Sequence, residues 1–165
     1  MLEIREATVL ELEEIIKIEK ECFPPAEAAK EEDIRKRFNA FKENFIVAIK
    51  DGKVVGFING CTTDTPELPD ELYHDTSLHK PEGEYQTVFG LDVLPQYRKK
   101  GIAGKLLNYL IKVSIDRGKK GIVLTCKDYL VPYYEKFGFE HRGVSNSSHG
   151  GAKWNDMVLL IEENQ

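Results

Sequence analysis

At 165 residues with 41% hydrophobic side chains, the chain is long enough to bury one sizeable core and short for two ordinary domains, so residues 1–165 read as a single domain. The formal net charge is -5, with 23 basic residues spread among 28 acidic ones, which argues against a dedicated nucleic-acid binder and favours neutral or cationic partners. Cys22, Cys61 and Cys126 form neither a metal-ligand spacing nor an even disulfide framework, and no apolar run approaches a membrane span. The expectation is a soluble cytoplasmic protein, monomer or homodimer, with no resident metal, no membrane contact and no nucleic-acid partner.

Residues 2–7 alternate in polarity as a half-exposed strand, and Thr8 with Glu11 three residues on is a capping box opening a helix that runs to Cys22. Phe23-Pro24-Pro25 stops it, and a second helix is expected from Ala26 to Phe41. Phe45 to Ile49 and Val54 to Ile58, joined by Asp51-Gly52, make a hairpin. Thr62 to Glu84 is a long polar stretch with three prolines; a short helix near Leu68 to Tyr73 and a functional purpose are expected of it. Val88 to Val93 is the next strand, followed by a helix with Ile102, Leu106, Leu107 and Leu110 on one side and a strand from Gly121 to Cys126. Asp128 caps a last helix that ends at Gly138, and Trp154 to Ile161 is the closing strand. The class is α+β: a mixed, mainly antiparallel sheet with one parallel strand-helix-strand crossover, flanked by helices.

The segment from Leu91 to Gly104 carries the most chemistry. It passes from an apolar strand through the basic turn Arg98-Lys99-Lys100 into a helix whose first residues are Gly101, Ile102, Ala103 and Gly104. Small residues let backbone approach a ligand, and the free N–H groups of a first helical turn attract anions. The segment fits neither the P-loop pattern, since no Gly-Lys-Ser/Thr ends it, nor the dinucleotide pattern, since its glycines are misplaced.

Arg98-x-x-Gly101-x-Ala103 resembles the pyrophosphate-binding signature of the GCN5-related N-acetyltransferase (GNAT) superfamily, and Tyr133-Tyr134-Glu135-Lys136-Phe137-Gly138-Phe139 resembles its second signature. Leu78-His79-Lys80-Pro81-x-Gly83 and Cys126 to Phe139 are further similar to the arylalkylamine (serotonin) N-acetyltransferase branch. The resemblance implies acetyl-coenzyme A as co-substrate. Leu91, Asp92 and Val93 would lie along the pantetheine arm as strand partners, and Arg98, Lys99, Lys100, Gly101, Ile102, Ala103 and Gly104 would hold the pyrophosphate. The acceptor implied is a small primary amine, arylalkylamine or polyamine-like; a protein lysine or N-terminus and a non-catalytic coenzyme A sensor are the alternatives. Where the vertebrate members of the branch carry two histidines, this chain has Thr87 and Phe89, so their imidazole relay has no counterpart here.

An alkylammonium with a pKa of roughly 10.4 is neutral in only about one molecule in a few thousand at pH 7, so the reaction needs a base, and the departing thiolate needs an acid. By resemblance Tyr134 is the acid, the competing reading being a packed tyrosine bonded to backbone. By a similar resemblance Glu27 is the base, against a reading as a solvated first-turn glutamate; Glu84, Tyr85 and His79 are weaker alternatives. Asp92 is expected to bind neighbouring backbone, Cys126 to be a buried apolar residue, and His74, His79, His141 and His149 to lie at the surface. Phe23 to Ala29 and Thr62 to Glu84 would surround the acceptor, with Phe23 in its pocket and Phe38 and Phe41 in the core.

Overall fold

The computed structural model describes residues 1–161, in two sheets that diverge from a common centre. The first has the order β1-β2-β3-β6, from β1 (Leu2–Glu6), β2 (Ile46–Lys50), β3 (Lys53–Asn59) and β6 (Gly90–Val93), all antiparallel. The second has the order β4-β5-β7-β9-β8, from β4 (Thr62–Thr63), β5 (Tyr85–Val88), β7 (Gly121–Cys126), β9 (Asn155–Leu160) and β8 (Glu140–Val144). Its β5–β7 pair is parallel and the others are antiparallel, which is the mixed architecture the element order implies.

Helices α1 (Leu12–Cys22) and α2 (Glu31–Phe41) cover one face and α4 (Ile102–Asp116) the other; α3 (Glu71–His74) and α5 (Val131–Glu135) are short. Strand β3 is therefore buried on both faces: Val54 and Phe57 join Ile15, Phe38, Phe41 and Phe45, while Val55 and Ile58 join Leu106, Leu107 and Leu110. The capping box is complete, with the Glu11 carboxylate accepting from the Thr8 N–H at 2.7 Å and Thr8 Oγ1 accepting from the Leu10 N–H at 3.2 Å.

The expected strand Val88 to Val93 is two strands in different sheets. β5 pairs with β7, Phe89 and Gly90 turn the chain, and β6 pairs with β3. The apolar run is continuous, but β5 has backbone partners on both sides, β4 and β7, while β6 pairs with β3 alone among the described residues, and hydropathy does not record that lost neighbour. The expected helix from Ala26 begins only at Glu31. The N–H groups of Glu27 and Ala28 both donate to the Pro24 carbonyl at 2.9 Å, closing a separate turn, and Lys30 is extended. Asp128 does not cap α5; its carboxylate accepts from Asn155 Nδ2 at 2.7 Å, and α5 starts at Val131 with Pro132 in its first turn. Gly138, at φ +98°, ends that segment as expected. β8 escaped prediction because its mostly exposed residues have no apolar alternation.

Candidate active site

Where β5 and β6 separate, two cavities meet. The larger, about 590 Å3, runs from the divergence to the start of α4 and is walled by Cys22, Leu91, Asp92, Val93, Arg98, Lys99, the Gly101–Gly104 segment and Tyr133. The register directs the Leu94 N–H to Val55 O on β3, so by alternation the peptide groups of Leu91 and Val93 face the open edge of the sheet. The Val93 carbonyl confirms that direction, accepting from Arg98 Nε at 2.8 Å and from the Cys22 thiol at 3.3 Å. An extended ligand arm has an unpaired strand edge available beside Leu91.

At the far end of this groove Lys99 (φ +64°) and Gly101 (φ +80°) are both left-handed, and Gly101 is the N-cap of α4. That pair of turns presents the first-turn N–H groups to the groove, with nothing within 4 Å of where a Cβ of Gly101 would stand. The donors suit a diphosphate. Gly104 serves packing as well, since an added Cβ would stand 3.3 Å from the Phe137 ring. Lys100 is not on the groove wall; its ammonium lies 5.8 Å over the Tyr97 ring.

The smaller cavity, about 300 Å3, opens on the other side of the divergence and is walled by Phe23 and Pro25–Lys30 of the α1–α2 connection, Arg37, Tyr73, Phe89, Thr125 and His149. Phe23, Glu27, Leu91, Leu130, Tyr134 and Trp154 belong to both walls, so the cavities join there. Tyr134 is 7% exposed, its ring edge-on to Tyr133 and Phe139, and its hydroxyl donates to no group among the described residues. Burial pushes its pKa above the ordinary phenol value, keeping the proton available for donation at neutral and mildly alkaline pH.

Glu27 reaches the junction as half of an ion pair, Oε1 and Oε2 lying 2.8 and 2.9 Å from Lys127 Nζ, with its side chain 10% exposed. Its carbonyl lies 2.8 Å from His149 Nε2, and Lys127 Nζ sits 5.9 Å over the Trp154 ring. His149 is thus a wall of the cavity, stacked at 5.8 Å on Tyr73, where a surface position was expected. His79 too is inside, its side chain 5% exposed against Phe41. Its Nδ1 accepts from the Thr62 N–H, which fixes the neutral tautomer with the proton on Nε2, and burial lowers its pKa. Glu84 is paired with Lys120 at the surface, and neither it nor Tyr85 reaches either cavity. Phe38 and Phe41 are core residues, as expected, and Cys126 is a buried thiol whose pKa burial raises to about 12.

Asp92 departs from expectation. It is 1% exposed, and neither carboxyl oxygen meets a backbone or side-chain donor among the described residues. It converges instead on Glu19 of α1: a Cβ on Gly90 would lie 2.9 Å from Asp92 Oδ1 and 3.6 Å from Glu19 Oε1. Burial first and the nearby Glu19 carboxylate second hold the Asp92 carboxyl well above the usual carboxylate range, which favours its protonated form. Glu19 Oε2 also accepts from the Ala29 N–H at 2.8 Å, tying the Phe23–Ala29 wall to α1.

Sequence reading missed Glu19, Arg37, His149 and Trp154 as parts of the candidate site, whereas Tyr73 and His74 fall within the Thr62 to Glu84 stretch expected around the acceptor. The first two look like ordinary polar positions of amphipathic helices. The available signal was His149-Gly150-Gly151 followed by Trp154, a ring-bearing loop whose glycines have φ +64° and +73°.

An open strand edge leading to a donor-rich helix start, joined to an aromatic chamber at a buried tyrosine, is the layout of a group-transfer enzyme with a diphosphate-bearing donor. Residues 12–139 match the model of the Acetyltransferase (GNAT) family. The chain belongs to that family and is an enzyme of its N-acetyltransferase class. It is 25% identical over 154 residues to the uncharacterized N-acetyltransferase YkwB of Bacillus subtilis (strain 168), covering 87% of this chain and 67% of that protein. It is 36% identical over 95 residues to serotonin N-acetyltransferase of Mesocricetus auratus, covering 57% of this chain and 44% of that protein, so it spans less than half of that relative. In fold it matches the loading GNATL domain of CurA from Lyngbya majuscula with a TM-score of 0.84 at 13% identity, over 97% of this chain and 98% of that one.

Proposed function

We propose that the protein transfers acetyl from acetyl-coenzyme A to a small primary amine, by direct attack of the amine on the thioester. The observation that carries the reading is the junction of the two cavities at Tyr134 and Glu27. A thioester lying along Leu91 and Val93 faces the smaller cavity there, and the peptide N–H groups at the opened strand edge can bind the developing oxyanion.

The amine enters from the smaller cavity and loses a proton through water to the Glu27 carboxylate, whose negative charge Lys127 balances. The neutral nitrogen attacks the carbonyl, and the C–S bond breaks as Tyr134 gives its proton to sulfur. The amide nitrogen then releases its second proton, which restores the phenol. No acyl-enzyme is needed, and the high pKa of Cys126 suits a residue with no nucleophilic part. The match to serotonin N-acetyltransferase and the walls of Phe23, Tyr73, Phe89 and Trp154 support an arylalkylamine-like acceptor. The test is thiol release from acetyl-coenzyme A across a panel of arylalkylamines, polyamines and lysine peptides. Release above background with a small amine is expected; release only with peptides would transfer the activity to protein acceptors.

A further inference from the structure

Arg37 is a buried cation of the acceptor chamber that the reaction above does not use. It lies on α2, is 5% exposed, and lines the smaller cavity. Its guanidinium carbon is 4.7 Å over the Phe89 ring and 6.0 Å from that of Tyr73, so its flat face is occupied by aromatic surface. Cation–π stacking leaves the in-plane N–H fork free for other partners. Of that fork, Nη2 donates to the Tyr73 carbonyl at 2.9 Å, and Nε is buried with no partner.

Among the described residues no carboxylate comes within the 4.0 Å of an ion pair with it. The two nearest in charge effect, Glu19 and Asp33, are otherwise engaged: Glu19 by Ala29 and Asp92, Asp33 with His74 at 3.6 Å. A buried guanidinium with carboxylates nearby but none in direct contact is costly to fold around. A carboxylate brought in by a ligand relieves that cost, and the planar fork matches it in a bidentate pair.

We propose that the acceptor carries a carboxylate as well as its amine, and that Arg37 binds that carboxylate. The substrate class is then a free amino acid with an apolar or aromatic side chain. Its carboxylate meets Arg37, its ammonium the acidic side of the chamber at Glu27, and its side chain Phe23, Tyr73 and Trp154. A volume of about 300 Å3 stands at the lower end of small-molecule sites and suits one such molecule. This rests on the reading of the smaller cavity as the acceptor site.

The test compares wild-type kcat/KM for matched triplets, such as tryptophan, tryptophan amide and tryptamine, or tyrosine, tyrosine amide and tyramine. The free acids are expected to be at least tenfold better than both the amides and the decarboxylated amines. Arg37→Gln should abolish that preference chiefly through KM for the acids, while Arg37→Lys keeps part of it. Coenzyme A binding to both variants, followed by calorimetry, should be unchanged. Equal or better turnover of tryptamine and tyramine by the wild-type protein overturns the inference while leaving the acetyltransferase reading intact. A loss in Arg37→Gln that is equal for acids and amines also overturns it. Absence of thiol release with every acceptor overturns both readings.

Discussion

Tyr134 and Asp92 are two buried acids that burial pushes the same way with different consequences. Replacing Tyr134 by Phe removes one hydroxyl and keeps the ring packed against Tyr133 and Phe139. Turnover should fall about ten- to a thousandfold, with the coenzyme A dissociation constant nearly unchanged; turnover equal to wild type would remove Tyr134 from the acid role. For Asp92 the raised folded-state pKa means that the folded protein holds a proton the unfolded chain releases near pH 4. The stabilisation is whole below that pH and is lost as pH climbs toward the folded-state value. Asp92→Asn keeps a neutral group whose amide can donate to Glu19. In denaturant titrations from pH 4 to 8, the variant should therefore lose less stability than wild type as pH rises. A steeper loss in the variant would contradict the raised Asp92 pKa.

Gly101 shows how an element can be set by one residue. At φ +80° it starts α4, and an alanine there meets no obstruction, so its cost is backbone conformation alone, about 1–2 kcal/mol for an L residue in the left-handed region. Gly101→Ala is expected to weaken coenzyme A binding about tenfold by reorienting the first-turn N–H groups, read by calorimetry; unchanged affinity would show that the pyrophosphate does not lie on this turn. The same element explains what was legible in the sequence. Strand, basic turn and helix between Leu91 and Leu110 are local, with each signal lying within a few residues of its effect. The divergence at Phe89-Gly90 was not legible, because it depends on β5 having in β7 a neighbour that β6 lacks among the described residues. The acceptor chamber was legible in the Phe23 to Ala29 segment and, through Tyr73 and His74, in the Thr62 to Glu84 stretch, but not in Arg37 or His149. Arg37, Tyr73 and His149 come from three distant segments, and only the packing of Arg37 and Tyr73 on Phe89 and of His149 on Tyr73 brings them together.

Across the whole molecule, two helices on one face and one on the other clamp the sheets at β3 and leave them free to part at β5 and β6. The opening is the candidate site, with the proposed donor groove on one side and the proposed acceptor chamber on the other. The single tryptophan, Trp154, lines both, so coenzyme A titration should change intrinsic fluorescence saturably. A flat titration alongside calorimetric binding would place the coenzyme away from the junction. The account turns on the transfer itself. Mass spectrometry of a mixture of protein, acetyl-coenzyme A and small amines, with thiol measured in parallel, tests it most directly. The prediction is one acetylated amine for each thiol released, with no acetylated protein intermediate; thiol release with no acetylated amine, or a covalent acetyl-enzyme that turns over, would contradict it.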